Sequence, residues 1–133
     1  PSPMAVSPDY LDYLLEGLAP LGPVGVRRMF SGKGLFLDGM MFAIVIDDEL
    51  WLKVDGENRP RFLARDLAPF SYQRAGKTAT MNYYRAPEEA LDSPDTLLDW
   101  ARSALGAALR ARAALAPQGS RTPTRPRRSR PKT

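Results

Sequence analysis

Between Val24 and Val54, four apolar, β-rich runs follow one another with almost nothing between them: Val24 to Phe30, Gly34 to Asp38, Met40 to Ile46 and Glu49 to Val54. A parallel crossover needs a dozen or more residues, so connections this short confine the runs to antiparallel neighbours. Asp38-Gly39 suits a tight hairpin because glycine accepts positive φ, and Asp47-Asp48 is a second turn candidate. Strict alternation in Glu49 to Val54 sends Leu50, Leu52 and Val54 to one face and Glu49, Trp51 and Lys53 to the other. An antiparallel meander with one buried face is expected.

Helices bracket these strands. Ser7-Pro8-Asp9 is a helix entrance, with a capping serine, a proline suited to the first position and an acid at the positive dipole end. Tyr10, Leu11, Leu14, Leu15 and Leu18 then recur at helical spacing, until Pro20, Gly22 and Pro23 stop the run. A short helix is expected within Glu57 to Asp66, followed by strands at Phe70 to Gln73 and Thr78 to Tyr84 around an Arg74-Ala75-Gly76-Lys77 turn. Asp92-Ser93-Pro94-Asp95 opens a long amphipathic helix through Leu97, Leu98, Trp100, Ala101, Ala104, Leu105, Ala108 and Leu109. The fold class expected is α+β, in two layers: an antiparallel meander with N-terminal and C-terminal helices packed on it. At 133 residues the chain has room for one core, placed in residues 1–116.

Charge divides sharply along the chain. Residues 1–116 hold 13 basic and 15 acidic side chains, a net −2, whereas residues 117–133 hold six basic and no acidic ones, a net +6. That last segment, PQGSRTPTRPRRSRPKT, has nothing to bury and is expected to be a disordered basic arm. Arg121, Arg125, Arg127, Arg128, Arg130 and Lys132 would neutralise phosphates without folding, attracting DNA or RNA regardless of sequence. The bland reading is a solubilising tail.

Composition narrows the chemistry. With no cysteine and no histidine, the chain lacks thiolate and imidazole metal ligands, a cysteine nucleophile and the usual base near neutral pH. No enzyme activity, cofactor or metal is expected. Met40 to Ile46, the longest apolar run, is far short of a membrane span, so a soluble, cytoplasmic protein with no membrane partner is expected.

Several local features carry a sharp and a bland reading. Gly32-Lys33-Gly34-Leu35 has neither the spacing nor the hydroxyl of a phosphate-cradling loop, so its glycines read as a strand turn. Arg27, Arg28 and Lys33 are candidate anion or partner contacts, or else ordinary surface charges, with Arg27 and Arg28 on opposite faces of a strand. Asp47-Asp48-Glu49 reads as a solvated turn rather than a metal cluster, and Glu88, Glu89, Asp92 and Asp95 as helix-start charges rather than a catalytic pair. The aromatics Phe36, Phe42, Trp51, Phe70, Tyr72, Tyr83 and Tyr84 are core candidates. They become a stacking platform for single-stranded nucleic acid if Trp51 and Lys53, or Tyr84 and Arg85, share an open face.

The motifs Arg27-Arg28-Met29-Phe30, Gly32-x-Gly34-Leu35-Phe36, Asp38-Gly39-x-Met41-Phe42-Ala43, Leu50-x-Leu52-Lys53-Val54-Asp55, Asn58, Phe62, Pro69-Phe70-x-Tyr72, Met81-x-Tyr83-Tyr84-x-x-Pro87 and Leu97-Leu98-x-Trp100-Ala101 occur in one order. Over about residues 10 to 110 they resemble the N-terminal domain of the TfoX/Sxy family, bacterial regulators of competence for DNA uptake. The resemblance implies helices on an antiparallel sheet and a role in competence or transcription control. Two departures stand out: Ser31 replaces the family's usual glycine, and an arm stands where full-length relatives carry a second helical domain. A non-enzymatic regulator is therefore expected, with weak nucleic-acid binding through the arm and a protein partner in transcription regulation. The alternative is a protein- or peptide-binding module, as a monomer or homodimer, with no nucleic-acid role.

Overall fold

The structure, a computed structural model, describes residues 8–29 and 32–115. Helix α1 (Pro8–Leu18) runs into a 3-10 turn (Ala19–Leu21), then strands β1 (Gly25–Met29), β2 (Gly32–Leu37), β3 (Met40–Ile46) and β4 (Glu49–Lys53). Short helix α2 (Arg59–Leu63) precedes β5 (Pro69–Arg74) and β6 (Lys77–Arg85), and a 3-10 turn (Glu88–Leu91) leads into α3 (Pro94–Leu115). The six strands form one antiparallel sheet in the order β1-β2-β3-β4-β6-β5. The α+β class with N-terminal and C-terminal helices is thus observed. Ser7, Phe30 and Ser31, on which parts of the sequence reading fall, lie outside the described residues.

The first four strands are the expected meander, and the last hairpin joins it through its second strand. β5 therefore becomes an outer edge, a place that suits Pro69, whose nitrogen has no hydrogen to give a neighbour. Among the described residues, the two-residue turns carry positive φ at both central positions: Asp38 and Gly39 at 51° and 79°, Asp47 and Asp48 both at 55°, Ala75 and Gly76 at 54° and 78°. These are the turns whose twist matches paired strands.

Gly32 and Gly34 do not form a turn. Both lie inside β2 and are buried. A Cβ on Gly32 would sit 2.2 Å from the Val45 carbonyl oxygen, and one on Gly34 would sit 2.6 Å from the Met29 sulfur and 2.9 Å from that of Met41. Close approach inside the sheet, rather than turn geometry, requires these two glycines.

The main core lies between the sheet and the helices. α1 contributes Leu14 and Leu18, the sheet Leu35, Phe42, Ala43, Val45, Leu50, Leu52 and Val54, and α3 Leu97, Trp100, Ala101, Ala104 and Ala108, all buried. The small residues of α3 let its backbone come close to the strands. Phe62 of α2 is fully buried, edge-on to Trp100 with ring centres 5.1 Å apart and 5.8 Å from Tyr84.

One polar knot locks α3 in place. Asn58 is the only buried polar or charged residue among those described. Its Oδ1 accepts from the Asp55 amide at 2.7 Å, and its Nδ2 donates to the Lys53 carbonyl (3.1 Å), the Ser103 carbonyl (3.1 Å) and Ser103 Oγ (3.2 Å). Asp55 accepts from the amides of Glu57 and Asn58, and grips Arg110 of α3 with both carboxylate oxygens, at 2.6 and 3.0 Å. The Arg110 hydrogen bond is the largest influence holding the Asp55 carboxyl down at a pKa of about 2.

Two outcomes follow from the knot. Asn58→Ala leaves the Asp55 amide and the Lys53 carbonyl without their side-chain partner and should cost about 2–3 kcal/mol in urea denaturation, with an unchanged m-value. Because the Asp55 pKa is depressed on folding, its contribution is present above about pH 4 and lost as pH falls towards about pH 2. With its side chain 28% exposed, the loss should be on the order of 1–2 kcal/mol, and Asp55→Asn should remove that part of the acid dependence.

Candidate functional site

The helices cover one side of the sheet, and the strands' alternation builds a second, separate apolar cluster on the other. Ile44, Ile46 and Tyr83 are buried there, with Met41, Trp51, Phe70 and Met81 packed around them. Every member comes from a strand. A bulge in the β2–β3 pairing makes this possible, since the register jumps from Leu35–Ala43 to Phe36–Met41 and skips Phe42. Phe42 and Ala43 both face the helices, while Met41, Ile44 and Ile46 face the opposite way.

Trp51 and Lys53 share this helix-free face, as the platform reading requires, and Arg85 joins them opposite Trp51. Tyr84 points to the core and packs on Phe62. Trp51 meets Phe70 edge-on at 5.2 Å, and Phe70 stacks with Tyr72 at 6.3 Å and 25°. Cations lie over these rings: Arg85 at 5.9 Å from the Trp51 centre, Lys53 at 5.2 Å from Tyr83 and Arg27 at 4.9 Å from Phe36. The Trp51 Nε1 is buried with no hydrogen-bond acceptor among the described residues. Tyr83 donates its hydroxyl to the Met41 carbonyl at 3.3 Å, and burial raises its pKa to about 12.

The other sequence candidates are scattered. Arg27, paired with Gly34, lies on the helix-free face, whereas Arg28 and Lys33 pair with each other across β1 and β2 on the helix side. The three cations therefore do not converge. Arg121, Arg125, Arg127, Arg128, Arg130 and Lys132 lie outside the described residues. Asp47 and Asp48 occupy a hairpin turn, Glu49 pairs with Arg85 at 3.1 Å, and Glu89 pairs with Arg65, which lowers the Glu89 pKa. Among the described residues, no three acidic side chains come together as a metal site.

A groove of about 590 Å³ opens where the last turns of α3 pass the start of β3, lined by Met40, Met41, Tyr83, Ala108, Ala111 and Leu115 with Lys53 and Arg112 as its charges. It holds no acid and no nucleophile paired with a base. Among the described residues, no helix is long and apolar enough to cross a membrane.

Sequence reading missed three participants. Arg110 and Ser103 carry no local mark in the sequence, and only the fold brings them to Asp55 and Asn58. Lys77 was assigned to a turn, although alternation along Lys77-x-Ala79-x-Met81-x-Tyr83-x-Arg85 places it in the row of the helix-free face.

Desolvation is the chief cause holding the Tyr10 and Tyr83 hydroxyls neutral to about pH 12. With both pKa values raised on folding, stability should fall as pH rises from about 10 to about 12. An alkaline absorbance titration should show two late-titrating tyrosines, and Tyr10→Phe or Tyr83→Phe should each remove one.

The description "TfoX N-terminal domain" matches residues 16–108. Protein Sxy of Escherichia coli (strain K12) is 30% identical over 95 residues, covering 71% of this chain and 46% of Sxy. The DNA transformation protein TfoX1 of Aliivibrio fischeri is 33% identical over 85 residues, covering 64% of this chain and 41% of TfoX1. The chain thus matches less than half the length of either relative.

Proposed function

The chain belongs to the TfoX N-terminal-domain family, and from that premise we propose that it is a non-enzymatic regulatory protein of the cytoplasm, acting in competence or transcription control. The observation that carries the proposal is the similarity across residues 16–108, which spans the sheet, α2 and most of α3. It works by binding rather than by chemistry: Asp99 and Glu89 are taken up in ion pairs with Arg61 and Arg65, and no acid lines the groove beside Lys53 and Arg112. Residues 1–116 contact a protein of the transcription apparatus. Residues 117–133 hold nucleic acid loosely through Arg121, Arg125, Arg127, Arg128, Arg130 and Lys132.

Six phosphate contacts predict that log affinity for duplex DNA falls against log salt with a slope of roughly −5. Deleting residues 117–133 should bring the slope near zero and leave the circular dichroism spectrum and urea midpoint unchanged. Fluorescence anisotropy of a labelled duplex across a salt series measures it; an unchanged slope removes the arm from the mechanism.

A second reading is favoured by the edge strand β1, which among the described residues pairs only with β2 and exposes Val26, Arg27 and Arg28. Its free backbone groups suit addition of a strand, from a partner peptide or from a second copy in a homodimer. Val26→Pro removes one strand donor and should abolish such an association, measured by sedimentation, without altering arm-dependent DNA binding.

A further inference from the structure

We propose that the helix-free face of the sheet is a stacking platform for single-stranded DNA, separate from the arm. It shares with the functional reading above only the class of ligand, nucleic acid, and it uses different residues.

Charge is segregated within the domain itself. Residues 1–116 are net acidic, yet among the described side chains alternation along the strands places the cations Arg27, Lys53, Lys77 and Arg85 on this face, against one strand acid, Glu49. Glu49 is already paired with Arg85. A net positive face on a net negative domain complements a phosphate chain and repels the same face of a second copy.

The same face holds the rings. Trp51 is half-buried, Phe70 is half-buried and Tyr72 is 37% exposed, so each keeps accessible surface beside the cations. Across five strands the register aligns Arg27, Gly34, Ile44, Trp51 and Arg85 in one transverse row. At about 4.8 Å between strands the row spans roughly 19 Å, with cations at its ends and Gly34, Ile44 and the Trp51 ring between. An unpaired strand crossing it finds phosphate partners and ring faces for two or three bases, the arrangement by which other sheet platforms bind single strands. A duplex offers no free base faces to these rings.

The polar side chains favour DNA and sequence-independent binding. Ser71, Gln73, Thr78 and Thr80, which would read base edges or a 2′-hydroxyl, lie on the opposite side of the β5–β6 hairpin, and Gln73 bonds to Thr78 at 3.0 Å. The Tyr83 hydroxyl is taken by the Met41 carbonyl.

The test uses the full chain with its six arm cations changed to glutamine, a short oligodeoxythymidylate, and intrinsic tryptophan fluorescence. Trp100 is buried and Trp51 lies on the platform, so quenching reports Trp51. Quenching by the oligonucleotide is expected despite the neutral arm. Trp51→Phe should abolish the signal, and in anisotropy Tyr72→Ala and Lys53→Gln should each weaken binding by roughly fivefold or more. Lys77→Glu, at an exposed hairpin position, repeats the test without touching the cluster. Loss of all binding once the arm is neutralised overturns the platform and leaves the arm reading intact. Equal affinity for duplex, or tighter binding of oligouridylate, also overturns it. No nucleic-acid binding by the unmodified chain overturns both readings.

Discussion

The side chain of Asn58 determines where α3 lies. Its amide bonds the end of β4 through the Lys53 carbonyl, the following loop through the Asp55 amide, and the middle of α3 through Ser103. Because the group is buried, each lost partner would be an unsatisfied one, so the three segments have a single favourable arrangement. Asp55 extends the restraint about two helical turns along α3 by holding Arg110 with both oxygens. With α3 fixed, Trp100 meets Phe62, and the alanines at 101, 104 and 108 lie against the strands.

Placing both long helices on one side leaves the other side of the sheet to cover itself. It does so with long strand side chains around Ile44, Ile46 and Tyr83 rather than with a further layer. The bulge in β3 is what divides seven consecutive apolar residues between two clusters, and Gly32 and Gly34 allow β2 to come close enough for Met29, Phe36 and Met41 to close over the gap. A sheet side built this way presents methionines, aromatic rings and cations at its surface, a composition suited to contact with another molecule.

Much of this was legible one residue at a time. Short connections and the alternation of Glu49 to Val54 implied antiparallel strands and placed Trp51 and Lys53 together away from the core, as observed. The helix entrance at Pro94 and the stripe through Leu97, Trp100, Ala101 and Ala104 were equally plain. Met40 to Ile46 was harder, because a continuous apolar run has no alternation from which to assign faces, and a bulge changes the period without a sequence mark. Gly32 and Gly34 looked like turn residues, since a glycine needed for a 2.2 Å approach cannot be told from one needed for positive φ until the neighbouring Val45 carbonyl is in place.

The sequence by itself determined the antiparallel class, the order of helices and strands, the family, and the contrast in charge between net acidic residues 1–116 and basic residues 117–133. These rest on local periodicity, turn chemistry and charge counts, which depend on near neighbours along the chain. Tertiary structure alone decided that β6 rather than β5 joins β4, that Lys33 lies opposite Arg28 rather than beside Arg27, and that Arg27, Lys53, Lys77 and Arg85 share one face. Those outcomes depend on strand order and register, set by pairings between residues up to dozens of positions apart, for which no single stretch of sequence carries the information.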